Sequence, residues 1–408
     1  METPKLEKTV RRNKMLSMAI SVLSAVATMT ATGTLMQTFL ATLGLPANDI
    51  YIHATLTQAV NIFTLLLSSG WVRRDNVIRC SAWAALVYGL LFLGMIPFCL
   101  RQSTAPEVFF WLVMIGALQA AALGMRTVCS YILPYLLYPA EDYGPFQSAT
   151  GVVSSVVTLA LGALVSLLAG ILPFRVLMIG ACVLSAFLIL LEVVFTLLLK
   201  SILGGVPTAE PRRKKASAWN TFRHPVFYTL MIPNLLRGFA SGTTTVFATV
   251  AFQLGFDQTL AANMLYLQSA AGLAGCALIG VLCKYFSGRY PVLLGSLSFL
   301  LLPLFFLRSR LLFLAVFTAV VLGRTLVDYG VPILLRRAVP VELAGSYNAW
   351  RMILHSGGTL LATTVAAVIP LPALLTVTVI FSGISGAWFF LSGSIRSAEA
   401  DPHIAERS

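Results

Sequence analysis

The sequence predicts an all-α polytopic membrane protein with twelve transmembrane helices in two pseudo-symmetric six-helix bundles. Two observations lead to this prediction: long apolar runs fill most of the chain, and a polar motif recurs in its second half. Hydrophobic residues make up 58% of the 408 residues, charged residues only 11%, and the mean hydropathy is +0.87. Because soluble domains carry about 25% charged residues, this composition excludes an ordinary soluble protein.

The apolar runs are long enough to cross a hydrocarbon layer of roughly 30 Å. Inside that layer the backbone must pair its own hydrogen-bonding groups, and runs that are apolar on every face favour helices over a β-barrel. We number the predicted spans 1 to 12 in chain order and place them at 15–40, 51–70, 80–99, 107–136, 146–170, 176–199, 225–252, 259–283, 290–307, 311–335, 344–369 and 372–395.

One motif indicates an internal duplication. Residues 126–137 and 324–335 share Arg-Thr, Tyr, Pro and Leu-Leu at matching positions, 198 residues apart. Further matches keep the same order, such as Gln58 with Gln268. We therefore predict one bundle at 15–200 and a second at 225–395, with an N-terminal segment at 1–14, a linker at 201–224 and a tail at 396–408.

The net charge of +13 is explained by orientation in the membrane. Most lysines and arginines fall on one side of the predicted spans, and the positive-inside rule then places both termini in the cytoplasm. We expect a monomer in the lipid bilayer of a bacterial inner membrane, without a nucleic-acid partner. The six cysteines lack the spacing of metal ligands, and no metal or cofactor is expected.

Six spans, a basic cytoplasmic linker and six more spans resemble the major facilitator superfamily of secondary transporters, over roughly residues 15–395. The loop signature of that family after span 2 is partly kept. Gly70 and Arg79 fit it, whereas Arg74 stands where its acid is expected and Asp75 comes one position late. The resemblance implies alternating access around a central cavity, lined mainly by spans 1, 4, 7 and 10.

Polar residues in those four spans recur at helical spacing, and we expect them to bind the substrate. The alternative is that serine and threonine side chains bond across helix interfaces. The candidate substrate-binding residues are Thr30, Thr34, Gln37, Gln119, Arg126, Tyr131, Asn234, Arg237, Ser241, Arg324 and Tyr329.

The charges inside the spans point to the kind of substrate. Four arginines lie there, at positions 126, 237, 324 and 351, but only two acids, Glu192 and Asp328. Arginine stays protonated, so the surplus needs backbone carbonyls, water or a bound anion. An arginine that only braces the helices is the alternative interpretation.

The two copies of the motif differ in their charge. Asp328 lies one helical turn after Arg324 and is expected to neutralise it. Arg126 has Ser130 at the matching position, and we expect it to lack an acidic partner. This asymmetry makes Arg126 the first candidate for holding a negative group of the substrate, assisted by Arg237 or Arg324.

Three residues are candidates for coupling or charge pairing: Asp328, His355 and Glu192. Span 6 is peripheral in the family, and this favours a structural role for Glu192. The proton is the candidate coupling ion, although the sequence does not choose between symport, antiport and uniport.

We therefore expect a secondary active transporter of a small anionic solute, such as an organic acid, an amino acid or a phosphorylated or carboxylated metabolite. No nucleophile–base pair, metal motif or phosphate loop is recognisable, and enzymatic activity is not expected. One alternative is an efflux pump for hydrophobic or amphipathic compounds. Another is a membrane sensor or scaffold with the transporter fold but without transport. The sequence does not identify the substrate or the direction of transport.

Overall fold

The structure, a computed structural model, describes residues 3–31, 34–72, 75–100, 106–138, 140–202, 227–286, 288–338 and 341–392. Every regular element within these ranges is a helix, and each of the twelve predicted spans coincides with one or two of them. The predicted all-α membrane fold is confirmed.

In the first half, span 1 consists of two helices and the other spans of one each. Their bounds are Thr3–Ala31 and Thr34–Thr42 for span 1, then Ala47–Trp71, Val77–Leu100, Pro106–Leu137, Ala140–Ala169 and Phe174–Leu197 for spans 2 to 6. In the second half, spans 7 and 9 are each divided. Span 7 comprises Phe227–Thr245 and Phe247–Gln253, and span 8 is Gln258–Tyr285. Span 9 consists of an α-helix at Arg289–Leu297 followed by a 3-10 helix at Ser298–Leu307. Spans 10 to 12 are Arg310–Ala338, Val341–Val368 and Leu371–Leu391.

Nine helices of the described chain are long and apolar enough to cross a membrane by themselves. Spans 1, 7 and 11 are not in this set. Spans 1 and 7 carry two of the polar stripes predicted from the sequence. Polar faces of this kind are tolerated in a bilayer when they are buried in protein or line a cavity.

The chain forms two compact units, Met1–Pro207 with Asp257–Ser269, and Thr208–Phe256 with Ala270–Ser408. In the first unit, span 1 packs on spans 5 and 6, and span 3 packs on spans 4 and 6. In the second unit, span 7 packs on spans 11 and 12, and span 9 packs on spans 10 and 12. These are corresponding pairs, so the duplication extends from sequence to packing. The bundle boundaries stay a prediction.

The start of span 8 belongs to the first unit. Asn263 accepts a hydrogen bond of 2.6 Å from the hydroxyl of Ser166 in span 5. A Cβ atom added to Gly162 would lie 3.1 Å from the Cα of Tyr266, so the small residue permits this close approach.

Asn13, inside the first helix of span 1, joins the C-terminal ends of spans 4 and 6 in the first unit. The helix of span 1 begins at Thr3, inside the segment predicted to precede it, and Asn13 is fully buried there. Its amide nitrogen donates to the carbonyl oxygens of Leu137 at 3.3 Å and Lys200 at 2.7 Å. Its amide oxygen accepts from the Lys200 backbone N–H. The carbonyl groups at helix C-termini have no intrahelical partner, and Asn13 supplies one next to spans 4 and 6.

Small residues set the distance between spans 7 and 11 in the second unit. Gly238 and Gly242, four residues apart, form the pattern that lets helix backbones meet in membranes. A Cβ atom at Gly242 would lie 2.7 Å from the Cα of Thr359. The hydroxyl of Thr359 donates to the Gly238 carbonyl at 3.2 Å. This contact fixes the helix that carries Arg237.

Gly242→Ala should destabilise the protein by about 1–3 kcal/mol, because the new methyl group meets backbone atoms that no rotamer change can move away. Gly383→Ala in span 12 is the matched control, since a Cβ atom there has no neighbour within 4 Å. Thermal unfolding of the purified variants in detergent measures the difference. Equal melting temperatures for the two variants would contradict the role of Gly242.

Candidate functional site

A buried ion pair joins spans 4 and 6 in the first unit. Nη2 of Arg126 lies 2.5 Å from Oε1 and 2.7 Å from Oε2 of Glu192. The two side chains are only 8% and 3% exposed. A guanidinium at membrane depth would be strongly unfavourable alone, and this carboxylate neutralises it.

Spans 1 and 3 complete the surroundings of this pair. The hydroxyl oxygen of Ser24 accepts a 2.8 Å hydrogen bond from Nη2 of Arg126. The guanidinium also lies over the Tyr88 ring, 5.1 Å from its centroid, in a cation–π arrangement. Four helices of the first unit therefore converge on Arg126. The Nη1 atom is buried and has no hydrogen-bond partner among the described residues.

The expectation that Arg126 lacks an acidic partner is wrong. Ser130 indeed offers no charge on the same helix, but Glu192 reaches the guanidinium from span 6. Helical periodicity identifies neighbours one turn apart on one helix, and it cannot identify a neighbour 66 positions away. The asymmetry between the two copies of the motif is thus different from the one predicted.

The second unit contains a three-membered charge cluster that we call the Arg–Asp–Arg cluster: Arg237, Asp328 and Arg324. Nη2 of Arg237 in span 7 donates to Oδ1 of Asp328 in a very short hydrogen bond. Nε of Arg324 lies 3.4 Å from Oδ2 of the same carboxylate. The predicted pairing of Arg324 with Asp328 is therefore present, and Arg237 joins it from another helix.

Neutral groups hold both guanidiniums in place. Nη1 of Arg237 donates to Oδ1 of Asn234 at 2.9 Å, and the Asn234 amide donates to the carbonyl of Arg351 in span 11 at 2.6 Å. Nη1 of Arg324 donates to the hydroxyl of Thr244 at 2.7 Å. Asn234 thus connects the cluster to the close contact between spans 7 and 11.

The cluster lines a narrow cleft within the second unit. The empty space among its lining atoms is about 260 Å³ when the part that opens to solvent is included, and its enclosed part admits only a water-sized group in this conformation. Spans 7, 9, 10 and 12 all contribute to it. The lining residues are Arg237, Ala240, Ser241, Ser296, Phe299, Arg324, Val327, Asp328, Ser382 and Ser385.

Serine residues of spans 9 and 12 were not identified from the sequence. Ser382 donates to the Ser296 carbonyl at 3.0 Å, and Ser385 donates to the Pro233 carbonyl at 2.8 Å. These bonds use the hydroxyl hydrogens and leave oxygen lone pairs available. The spacing of Ser382 and Ser385, three residues apart on one helix face, was the available signal.

The Arg126–Glu192 pair and the Arg–Asp–Arg cluster differ in net charge. Arg126 and Glu192 cancel in the first unit. In the second, two guanidiniums share one carboxylate, and no further carboxylate lies within ion-pairing distance of either one in the part of the chain that the structure describes. The cluster therefore keeps one positive charge. The side chains of Arg324 and Asp328, 32% and 33% exposed, form its open side, while that of Arg237 is 8% exposed.

Of the remaining predicted residues, His355 is half-buried on span 11 and lies within electrostatic range of all three charges of the cluster. Gln37 and Gln119 are buried in the first unit, and Tyr329 is 47% exposed on span 10. The side chains of Thr30, Thr34 and Tyr131 lie outside the described residues. The cleft thus contains Arg237, Ser241, Arg324 and Asp328 of the predicted set, with Asn234 directly behind Arg237.

Glu192→Gln should destabilise the protein by about 3–5 kcal/mol, because it leaves the buried guanidinium of Arg126 without a counter-charge. The double variant Arg126→Met with Glu192→Leu should recover most of that loss, since it removes both charges. Glu7→Gln, on the exposed start of span 1, is the control. Unfolding in detergent measures all three. A double variant less stable than Glu192→Gln would contradict the pairing.

Comparison with known proteins establishes the family. The model of the Major Facilitator Superfamily matches residues 18–363. No curated protein sequence gives a significant match. Similar solved structures include a D-xylose–proton symporter, with TM-score 0.71, 13% identity and coverage of 94% of this chain and 98% of that one. The nucleoside transporter NupG is similar with a TM-score of 0.60 and 16% identity, over 96% of this chain and 99% of that one.

A third similar structure is a bacterial homologue of the iron transporter ferroportin in its inward-facing state, with TM-score 0.63 and 15% identity over 93% of this chain and 98% of that one. At these identities the likeness concerns the fold alone. The family model covers most of the chain and agrees with the twelve spans and the duplicated packing. The protein belongs to the Major Facilitator Superfamily of membrane transporters.

Proposed function

We propose that this protein moves a small anionic solute across the membrane by alternating access. The observation that carries the proposal is the positive charge left over in the Arg–Asp–Arg cluster. Such a charge is costly in the low dielectric of a membrane protein, and a bound anion would stabilise it. The candidates are organic acids, amino acids and phosphorylated or carboxylated metabolites.

The shape of the cluster also suits an anion. Arg324 lies on the open side of the cleft, and a guanidinium offers paired hydrogen bonds to a carboxylate or phosphate. The role of Arg126 changes accordingly. Its buried pairing with Glu192 supports a bracing role, so the anion site that we propose is centred on Arg324 and Arg237.

A binding screen tests the charge of the substrate. Purified protein in detergent is heated with matched anionic, neutral and cationic metabolites at constant ionic strength. We expect stabilisation by anions, because binding to the native state raises its stability. Stabilisation by hydrophobic cations alone would favour the efflux pump instead. Saturable binding without flux in proteoliposomes would favour the sensor or scaffold.

Proton coupling, the monomeric state, the bacterial inner membrane and the cytoplasmic termini stay predictions. Proton coupling is tested by measuring the flux of the identified substrate under imposed pH gradients of opposite direction. A proton symporter would respond to the direction of the gradient, whereas a uniporter would not.

Arg324→Gln should weaken binding of the anion found in the screen by at least about tenfold, because a charge-assisted contact is worth about 1.5–3 kcal/mol. The fold should survive, since the Arg237–Asp328 pair remains. Arg324→Lys keeps the charge but loses the planar fork, and we expect an intermediate affinity. Arg175→Gln, at the start of span 6 in the first unit, is the control. Unchanged affinity in Arg324→Gln would place the anion elsewhere.

A further inference from the structure

The carboxylate of Asp328 bridges guanidiniums from two different helices. Its Oδ1 accepts from Arg237 in span 7, and its Oδ2 faces Nε of Arg324 in span 10. Each oxygen therefore meets a separate cation. The space between the two guanidiniums already has the size and donor arrangement that a planar carboxylate requires.

Donors around this position remain unused. Arg237 is only 7% exposed, and its Nε is buried without a hydrogen-bond partner among the described residues. Nη1 of Arg324 donates to Thr244 and its Nε faces Asp328, and its Nη2 has no hydrogen-bond partner among the described residues. Because a buried donor without an acceptor is unfavourable, Nε of Arg237 favours an additional oxygen ligand. Nη2 of Arg324, on the open side of the cleft, is accessible to the same ligand.

The charge of the cluster selects the valence of that ligand. Two guanidiniums and one carboxylate leave a single positive charge. One carboxylate ligand would make the cluster neutral. A phosphate monoester carries about −1.5 to −2 charges at pH 7 and would leave the cluster negative in a low-dielectric site.

We infer that Asp328 is a resident carboxylate that holds the place of the substrate's own carboxylate, and that the substrates are small monocarboxylates. This inference rests on the proposed function and narrows its range of anions to one class. When a substrate enters, its carboxylate takes over contacts with Arg237 and Arg324, and Asp328 gives up part of them. Asp328 thereby acts as a built-in competitor that limits how tightly the substrate is held.

The position of Asp328 suits this exchange. It lies one helical turn from Arg324 on the same helix, and its side chain is 33% exposed. A change of side-chain rotamer moves the carboxylate towards the open part of the cleft without moving span 10. Arg237, by contrast, is fixed by Asn234 and the packing of span 7. The guanidinium stays while the carboxylate exchanges.

The enclosed part of the cleft admits only a water-sized group in this conformation. The substrate carboxylate therefore enters by exchange with Asp328, and the rest of the substrate extends into the open part. The hydroxyl-bearing residues Ser241 and Ser296 line the same space and can bond to a polar substituent.

Removal of the resident carboxylate tests the inference. Asp328→Asn should lower the acetate concentration that gives half-maximal thermal stabilisation by tenfold or more, because the competitor is gone and the cluster gains a positive charge. Formate and propionate should behave like acetate, and the neutral isostere acetamide should show no such change. The valence of the ligand is tested on the natural protein, whose cluster carries a single positive charge. There, acetate should give half-maximal stabilisation at a lower concentration than sodium phosphate or sodium chloride at matched ionic strength.

Asp75→Asn is the matched control, because it removes an exposed carboxylate from the turn before span 3 and changes the net charge equally. Its response to acetate should equal that of the natural protein. A second variant, Asp328→Ser, removes the carboxylate and leaves space that acetate can fill. If Asp328→Asn is not monodisperse after purification, acetate should restore Asp328→Ser to a stable, monodisperse state.

The outcomes separate this inference from the proposed function. If anions stabilise the natural protein but Asp328→Asn binds acetate no more tightly, the resident-carboxylate role is overturned and the anion transporter stands. If phosphate or chloride stabilises the natural protein at as low a concentration as acetate does, the assignment to monocarboxylates is overturned. If no anion stabilises the natural protein or either variant, both proposals fail.

Discussion

The neutralisation of arginine inside the membrane is the constraint on which the rest of this structure depends. A guanidinium cannot lose its proton in the bilayer, so each one needs a fixed partner or a ligand. The first unit solves this with one carboxylate for one arginine, deeply buried between spans 4 and 6. The second unit gives one carboxylate to two arginines. The first arrangement leaves no net charge, and the second leaves one positive charge among the described residues.

The charge cluster is only as well defined as the packing that holds its helices. Apolar side chains gain little by leaving lipid for another helix, so association in membranes depends on close backbone approach and polar contacts. Gly238 and Gly242 allow span 11 to approach span 7 within contact of their backbones. At this short distance the side chain of Asn234 accepts a hydrogen bond from Arg237 and donates one to the Arg351 carbonyl. Packing and charge placement are therefore coupled.

The duplication preserved helix neighbours and altered their chemistry. Corresponding pairs of spans pack in both units, and Arg126 and Arg324 occupy equivalent places in the repeated motif. Their partners nevertheless come from different directions: Glu192 from span 6 in one unit, and Asp328 from the same helix in the other. A shared backbone arrangement thus supports one neutral site and one positively charged site.

The sequence by itself determined the twelve apolar spans, the duplication and the pairing of Arg324 with Asp328. These follow from properties local to one segment, namely hydropathy, repeated letters and the helical turn that separates residues i and i+4. It also singled out Arg237, Asn234 and Ser241 as one polar face of span 7.

Only the tertiary structure decided which helices meet. Glu192 neutralises Arg126 across 66 positions, and Arg237 shares Asp328 across 91. The serines of spans 9 and 12 line the cleft from helices that the sequence analysis did not assign to it. Helical periodicity gives the direction of a side chain on its own helix but not the helix that it faces. The neighbouring helix is decided only in the folded protein, where close glycine contacts and the pairing of buried charges must occur in the same arrangement.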